Sequence, residues 1–177
     1  MRQKKILDAQ GIEQILIHIA DQISENQPDL SKLALVGIHT RGVFLAERIR
    51  KILSDKRNFN ILIGNIDINL YRDDWTRISH HPEVRGSDIR FPVDSKEIIL
   101  VDDVLYTGRT IRGALEAIMD YGRPDRIELC VLIDRGHREL PIQANYTGMI
   151  MDTKKNELVN VLLVEHDGED RVDLLSP

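Results

Sequence analysis

Two adjacent acids, Asp102 and Asp103, stand just ahead of the run Val104-Leu105-Tyr106-Thr107-Gly108-Arg109-Thr110, and the two halves suit different chemistry. A glycine turn opening a helix is an anion seat. The first amides of a helix point outward unpaired, and the helix dipole favours negative charge there. Gly108 lets the backbone approach a ligand closely, and the Thr107 and Thr110 hydroxyls add donors. The two carboxylates cannot grip the same phosphate, because like charges repel. They suit a neutral diol, a cation or a developing positive charge. A ligand with a phosphate at one end and a vicinal diol nearby satisfies both halves, and ribose 5-phosphate is such a ligand. The plainer alternative is that the acids end a strand and Thr110 caps a helix. No Gly-Lys-Ser/Thr follows, so the stretch is not a P-loop.

A second candidate is Thr40-Arg41-Gly42, where a fixed cation and a glycine follow an apolar run ending at Ile38. Such a loop suits a polyanion, although Arg41 alone also reads as a solvated arginine at a helix start. Cys130 lies inside the apolar run Ile127 to Ile133 and reads as a buried thiol rather than a nucleophile.

Elements must hold these loops. Ile12, Ile15, Leu16, Ile19 and Ile23 recur at helical spacing, which predicts an amphipathic helix over 11–26. Leu33 to Ile38 reads as a buried strand, and Val43 to Leu53 as a helix. Ile61 to Leu70 reads as a strand region with a bend or bulge at Gly64-Asn65, where the alternation changes phase. Glu97 to Val101 reads as a third strand and Thr110 to Tyr121 as a helix, stopped by Gly122 and Pro124. Arg126 to Ile133, Tyr146 to Met151, Leu158 to Val164 and Arg171 to Leu175 read as further strands, with Asp167-Gly168 as a turn. Strands alternating with helices predict an α/β fold with a mainly parallel sheet flanked by helices. Ligands in such sheets sit beyond the carboxyl ends of the strands. The informative loops are therefore 37–42, 71–94, 102–109 and 134–140. Residues 71–94 carry almost no periodicity and are long for a loop, which points to a lid or binding segment.

The 177 residues fit one domain spanning 1–177. A net charge of -5 offers no global basic field, so nucleic-acid binding would need a local patch. No run approaches the roughly 18 apolar residues of a membrane span. No signal peptide follows Met1, and one lone cysteine fits a reducing compartment, so a cytoplasmic protein without membrane partners is expected.

Four segments occur in order: Gly37-Ile38-His39-Thr40-Arg41-Gly42, Leu70-Tyr71-Arg72-Asp73-Asp74, Val101 to Thr110, and Asp134-Arg135-Gly136-His137-Arg138-Glu139-Leu140-Pro141. The third resembles the signature that binds phosphoribosyl pyrophosphate (PRPP) in type I phosphoribosyltransferases. Together the four resemble the bifunctional pyrimidine operon regulator family with uracil phosphoribosyltransferase activity (PyrR), over nearly the whole chain. The resemblance implies the type I phosphoribosyltransferase fold, with a small C-terminal hood and a flexible lid loop. It implies uracil and PRPP as substrates, UMP and pyrophosphate as products, and Mg²⁺ as cofactor with no dedicated metal ligand in the protein. Asp102 and Asp103 would hold the ribose hydroxyls, and residues 104–110 the 5′-phosphate. Thr40, Arg41 and Gly42 would hold pyrophosphate, with Arg41 counted beside the two acids in catalysis. Arg85 stands where a basic residue is expected. Arg72 and Arg77 could reach the polyphosphate, although Arg77 alone reads as an exposed charge. Arg135 and backbone near Val159-Asn160 would meet uracil, and Trp75 is a weaker candidate for base stacking. Relatives form dimers and tetramers, so a homo-oligomer is expected.

The resemblance also implies messenger RNA binding when UMP is bound. Here no Lys or Arg occurs between Ile6 and Ser31, with His18 and Asn26 where basic residues are expected, and Gln143 stands in place of an arginine. Phosphate contacts supply most RNA affinity, so the expectation favours catalysis over RNA-dependent regulation. His137 and Arg138 read equally as RNA contacts or as ordinary loop residues. The alternatives are a UMP-responsive attenuation regulator with little catalysis, or a phosphoribosyltransferase for another base.

Overall fold

The computed structural model describes residues 2–71 and 86–177. Thirteen elements follow from the amide and apolar patterns of these residues, one of them a short 3-10 turn at Asn69–Tyr71. The others are β1 (Arg2–Asp8), α1 (Ala9–Asn26), β2 (Leu33–Ile38), α2 (Arg41–Arg57), β3 (Leu62–Ile66), β4 (Glu97–Leu105), α3 (Arg109–Met119), β5 (Arg126–Asp134), β6 (Tyr146–Ile150), β7 (Leu158–Leu162), α4 (Val164–Asp167) and β8 (Arg171–Ser176).

Five strands form one sheet in the order β3-β2-β4-β5-β6, parallel at every pairing. Its central strands are apolar on both faces, as a sheet covered on both sides must be. Leu33, Leu35, Ile99 and Val101 pack against Ile12, Leu16, Ile19 and Ile23 of α1 and Leu45, Ile49 and Leu53 of α2. Ala34, Val36, Ile98 and Leu100 face Ile111, Ala114 and Ile118 of α3. A second, antiparallel sheet of order β1-β8-β7 forms the hood. Val159, Val161 and Val172 join it to the α1–α2 core.

The α/β class and its parallel sheet agree with the sequence expectation, and several local expectations need correction. Residues 2–8 form an edge strand that hydrophobic alternation did not reveal, because every one of them is exposed or only half-buried. The bend expected at Gly64-Asn65 is absent: β3 keeps an unbroken register with β2 from Leu62 to Ile66. What changes there is the neighbour on the outer side, because Asn65 also bridges to Asp88. Strand β4 runs on to Leu105, so both acids lie inside the strand rather than after it. The segment after Leu162 turns into the short helix α4 instead of continuing as strand. Among the described residues no helix is long and apolar enough to cross a membrane. Arg72, Trp75, Arg77 and Arg85, and most of the expected lid, lie outside the described residues.

Candidate active site at the carboxyl ends of the parallel strands

The end of β4 carries the acid pair at a break in its own alternation. Val101 and Val104 both pack on the α1–α2 side, whereas Leu105 packs on the α3 side. Strict alternation would put Val101 and Val104 on opposite faces. The phase slip falls across Asp102 and Asp103. Each carboxylate accepts the amide of the next residue, Asp103 N to Asp102 Oδ1 at 2.9 Å and Val104 N to Asp103 Oδ1 at 2.8 Å.

Burial and the neighbouring charge push the Asp102 carboxyl well above the ordinary aspartate range. Desolvation raises Asp103 as well, but the positive charge of Arg41 works against that rise. The pair is thus a poorly solvated acidic spot with the Arg41 cation beside it.

The loop bearing Arg41 reaches this spot because of two glycines. A Cβ on Gly37 would come within 2.4 Å of the Val43 Cα, and one on Gly42 within 2.3 Å of the Val101 carbonyl oxygen. The start of α2 therefore folds back over the end of β2 and rests directly on β4 at Val101-Asp102. The His39–Thr40 peptide bond in this loop is cis. The His39 ring bonds Asn65 Oδ1 at 2.9 Å. Arg41 is the first residue of α2, and its guanidinium lies against Asp167 of α4, with Nε–Oδ2 at 3.0 Å and Nη2–Oδ1 at 2.7 Å. Thr40 precedes the helix without capping it through its side chain.

The turn after β4 is shaped by Gly108, which takes φ +91 at the start of α3. The Thr107 carbonyl accepts the amides of Glu139 and Leu140, and its hydroxyl lies 3.4 Å from the Arg109 amide. The amides of Thr107, Gly108 and Thr110 find no acceptor among the described residues. Val104 is half-buried, Leu105 is buried, and Thr110 is exposed at the first turn of α3. Arg109 pairs with Glu139 at 2.7 Å. The turn therefore leaves three amides without a protein acceptor just after the acid pair, among the described residues.

The loop after β5 braces that turn. Arg135, only 4 % exposed, sends Nε to Thr153 Oγ1 at 3.2 Å and Nη2 to the Lys154 carbonyl at 3.0 Å. Its guanidinium covers the Tyr106 ring. His137 Nε2 meets the Thr153 carbonyl at 2.7 Å. Arg138 donates to the carbonyls of Ile142, Tyr106 and Gly136 and to the Asp134 carboxylate. In this structure His137 and Arg138 both hold the loop, and each remains partly exposed. Val159 is buried in the core through its side chain, so β7 can meet a ligand there only through backbone. Among the described residues β7 is an edge strand that pairs with β8 alone. Cys130 is buried in β5 with its thiol pushed up to about 12, as an inert core residue would be.

Three of the four expected loops thus converge: 37–42, 102–109 and 134–140. Asp167 and the Arg135–Tyr106 contact were not singled out from sequence. The acidic run Glu165 to Asp170 was the available signal for the first, but its partners are far away along the chain. Nothing local marks the second.

The model of the phosphoribosyl transferase domain matches residues 2–164. The "Bifunctional protein PyrR" of Desulfosudis oleivorans is 51% identical over 177 residues, covering 99% of this chain and 98% of the relative. The protein of the same name from Thermus aquaticus is 50% identical, covering 96% of this chain and 94% of the relative. Among solved structures, the hypoxanthine phosphoribosyltransferase of Trypanosoma cruzi superposes with a TM-score of 0.73 at 17% identity, covering 98% of this chain and 97% of that one. At that identity the likeness speaks for the fold alone.

Proposed function

This chain belongs to the phosphoribosyl transferase family and, within it, to the bifunctional PyrR proteins, and on that premise we propose that it makes UMP and pyrophosphate from uracil and PRPP. The observation that carries the reading is the juxtaposition of unoccupied amides at Thr107, Gly108 and Thr110 with the Asp102–Asp103 pair one turn upstream. Amides of that kind take the 5′-phosphate, helped by the start of α3. The acids take the ribose hydroxyls as hydrogen-bond acceptors. Thr40, Arg41 and Gly42 take the pyrophosphate end.

In the reaction the bond from C1′ to pyrophosphate breaks with its electron pair leaving on the pyrophosphate oxygen, the bond from C1′ to uracil N1 forms, and the N1 proton passes to solvent or to the departing pyrophosphate. Positive charge develops on the ribose as the leaving group departs. The protein's part is positioning and electrostatics. Asp102 and Asp103 lie under the sugar with carboxylate charge that offsets the developing cation. Arg41 faces the negative charge gathering on pyrophosphate. Mg²⁺ supplies charge neutralisation on the polyphosphate when bound. The hard carboxylate oxygens of Asp102 and Asp103 would suit this ion, and no residue is assigned as its dedicated ligand.

Uracil needs a donor and an acceptor side by side. Backbone can supply both, and the free edge of β7 at Val159-Asn160 is the candidate. Arg135 contributes by holding the 153–154 segment that leads into β7. The Asp134 to Pro141 stretch and the relatives' name favour a pyrimidine over a purine. The test is incubation with PRPP, Mg²⁺ and each free base: UMP from uracil alone is expected, and product from a purine instead overturns the substrate assignment. Assembly as a homo-oligomer belongs to the same reading and is checked by light scattering.

A second reading adds UMP-dependent binding of messenger RNA, favoured by the word "bifunctional" in the relatives' name. Helix α1 brings no Lys or Arg to such a surface, Arg135 is buried, and His137 and Arg138 spend ring and guanidinium nitrogens on backbone carbonyls of the protein itself. RNA affinity is mostly phosphate neutralisation and is strongest at low salt. Absence of binding to a pyrimidine-operon leader RNA at low salt, with UMP present, ends this reading.

A further inference from the structure

Two arginines on one face of α2 fasten the same hood segment. Arg48 forks onto Glu165 and Asp170, with four contacts of 2.7 to 2.8 Å. Arg41, two turns earlier, forks onto Asp167. The first contact is a fastening at some distance from the acid pair. The second involves an arginine whose charge also acts on Asp103. Asp167 is itself held in place, since its Oδ2 accepts the Leu163 amide at 2.9 Å.

The geometry of the fork matters. Asp167 occupies the Nε–Nη2 side of the guanidinium. Among the described residues Nη1 has no hydrogen-bond partner, and the Arg41 side chain is 27 % exposed. Guanidinium is planar and carries five donors in a fixed arrangement, so seating one edge orients the other. An arginine side chain left alone spreads over many rotamers, and ordering it on a ligand costs binding free energy. Held on one edge, Arg41 presents its end-on edge, Nη1 and the second Nη2 proton, as a preformed pair of donors for an anion. The carboxylate beside it also repels an incoming anion, so orientation and repulsion oppose each other here. The close, bidentate, doubly anchored contact favours orientation.

We propose that Asp167 is a positioning residue that sets Arg41 for pyrophosphate. The proposal rests on Arg41 being a pyrophosphate ligand. It requires no direct contact between Asp167 and substrate.

The test is calorimetric binding of magnesium pyrophosphate to the full chain, which needs neither base nor turnover, alongside steady-state kinetics. Asp167→Asn keeps an acceptor for the Leu163 amide and removes the charge. It is expected to weaken pyrophosphate binding and raise KM for PRPP by on the order of 10-fold, the scale of one lost charged hydrogen bond. UMP binding and KM for uracil stay within twofold, and Asp167→Glu recovers part of the loss. Asp170→Asn loosens the Arg48 fastening without touching Arg41, and it leaves pyrophosphate binding within twofold. Unchanged or tighter pyrophosphate binding in Asp167→Asn overturns the proposal, as does an equal loss in Asp170→Asn, which would mean general loosening of the hood. Arg41→Gln separates the two levels. No effect of that change sinks the Arg41 assignment and this proposal with it, while a large effect at Arg41 with none at Asp167 sinks this proposal alone.

Discussion

The guanidinium of Arg135 lies 4.1 Å from the centre of the Tyr106 ring. Tyr106 belongs to the turn that offers its amides to a phosphate, and Arg135 is bonded to Thr153 and Lys154 ahead of the hood. One buried side chain therefore joins the phosphate turn to the segment leading into β7. Replacing Arg135 with Leu removes a desolvated cation–π contact worth about 2 kcal/mol and leaves the Lys154 carbonyl without its donor, at about 1 kcal/mol more. A fall in Tm of roughly 2–4 °C per kcal/mol is expected in thermal unfolding. KM for PRPP rises with it, because Tyr106 loses its cover. An unchanged Tm would show that the contact contributes nothing to stability.

The acid pair should be essential to turnover and dispensable to folding. Asp102→Asn with Asp103→Asn keeps size and shape while removing the charge that faces the sugar. Turnover is expected to drop by at least about 100-fold, the scale of one lost electrostatic group in a dry site. Circular dichroism should stay native. A near-normal rate in a folded variant would show that these residues do not hold the ribose.

Stability should respond to pH at Asp102 with a definite sign. Burial raises its folded pKa above the unfolded value near 3.8. The folded state then holds the proton more tightly than the unfolded chain. Its contribution is fully present below the unfolded pKa and is lost as pH rises towards the folded one. At neutral pH the buried charge is a cost. Asp102→Asn is expected to raise Tm at pH 7 and to have little effect at pH 3, while abolishing activity. A lower Tm at pH 7 would mean that ligand-free Asp102 is stabilised as the anion.

Gly42 should tolerate no side chain. A Cβ there meets the Val101 carbonyl oxygen at 2.3 Å, a backbone atom of the central strand that cannot move aside. Gly42→Ala is expected to lower stability by about 3 kcal/mol or to displace the 39–42 loop, with loss of pyrophosphate binding. Gly168→Ala, at φ +83 but with open space around it, should cost only about 1 kcal/mol. Equal effects of the two changes, compared by denaturant titration, would remove the steric argument.

Much of this molecule can be read from local pattern. Leu33 to Ile38 and Ile98 to Val101 are apolar on both faces, so a parallel sheet covered by helices on both sides follows from their composition alone. Gly108 between a strand and a helix marks the phosphate turn, because a left-handed φ and a helix start are properties of a few consecutive residues. The phase of β4 across Asp102-Asp103 could not be read, since the acids interrupt the apolar pattern that carries phase. Strand β1 was hidden for a similar reason: its partner β8 lies at the other end of the chain and its side chains are not buried.

Residue type and spacing determined where an anion and a diol could be held, because backbone amides at a glycine turn and neighbouring carboxylates are local facts of the chain. Tertiary structure alone decided which side chains remain available for a ligand. Arg135, His137 and Arg138 are indistinguishable in sequence from substrate or RNA contacts, yet each gives donors to the protein itself: Arg135 and His137 to the Thr153-Lys154 segment, and Arg138 to the Tyr106 carbonyl and to its own loop. Arg41 is divided between Asp167 and the site. Hydrogen-bond donors are finite and are claimed by whatever acceptor folding places within reach, and sequence spacing does not contain that distance.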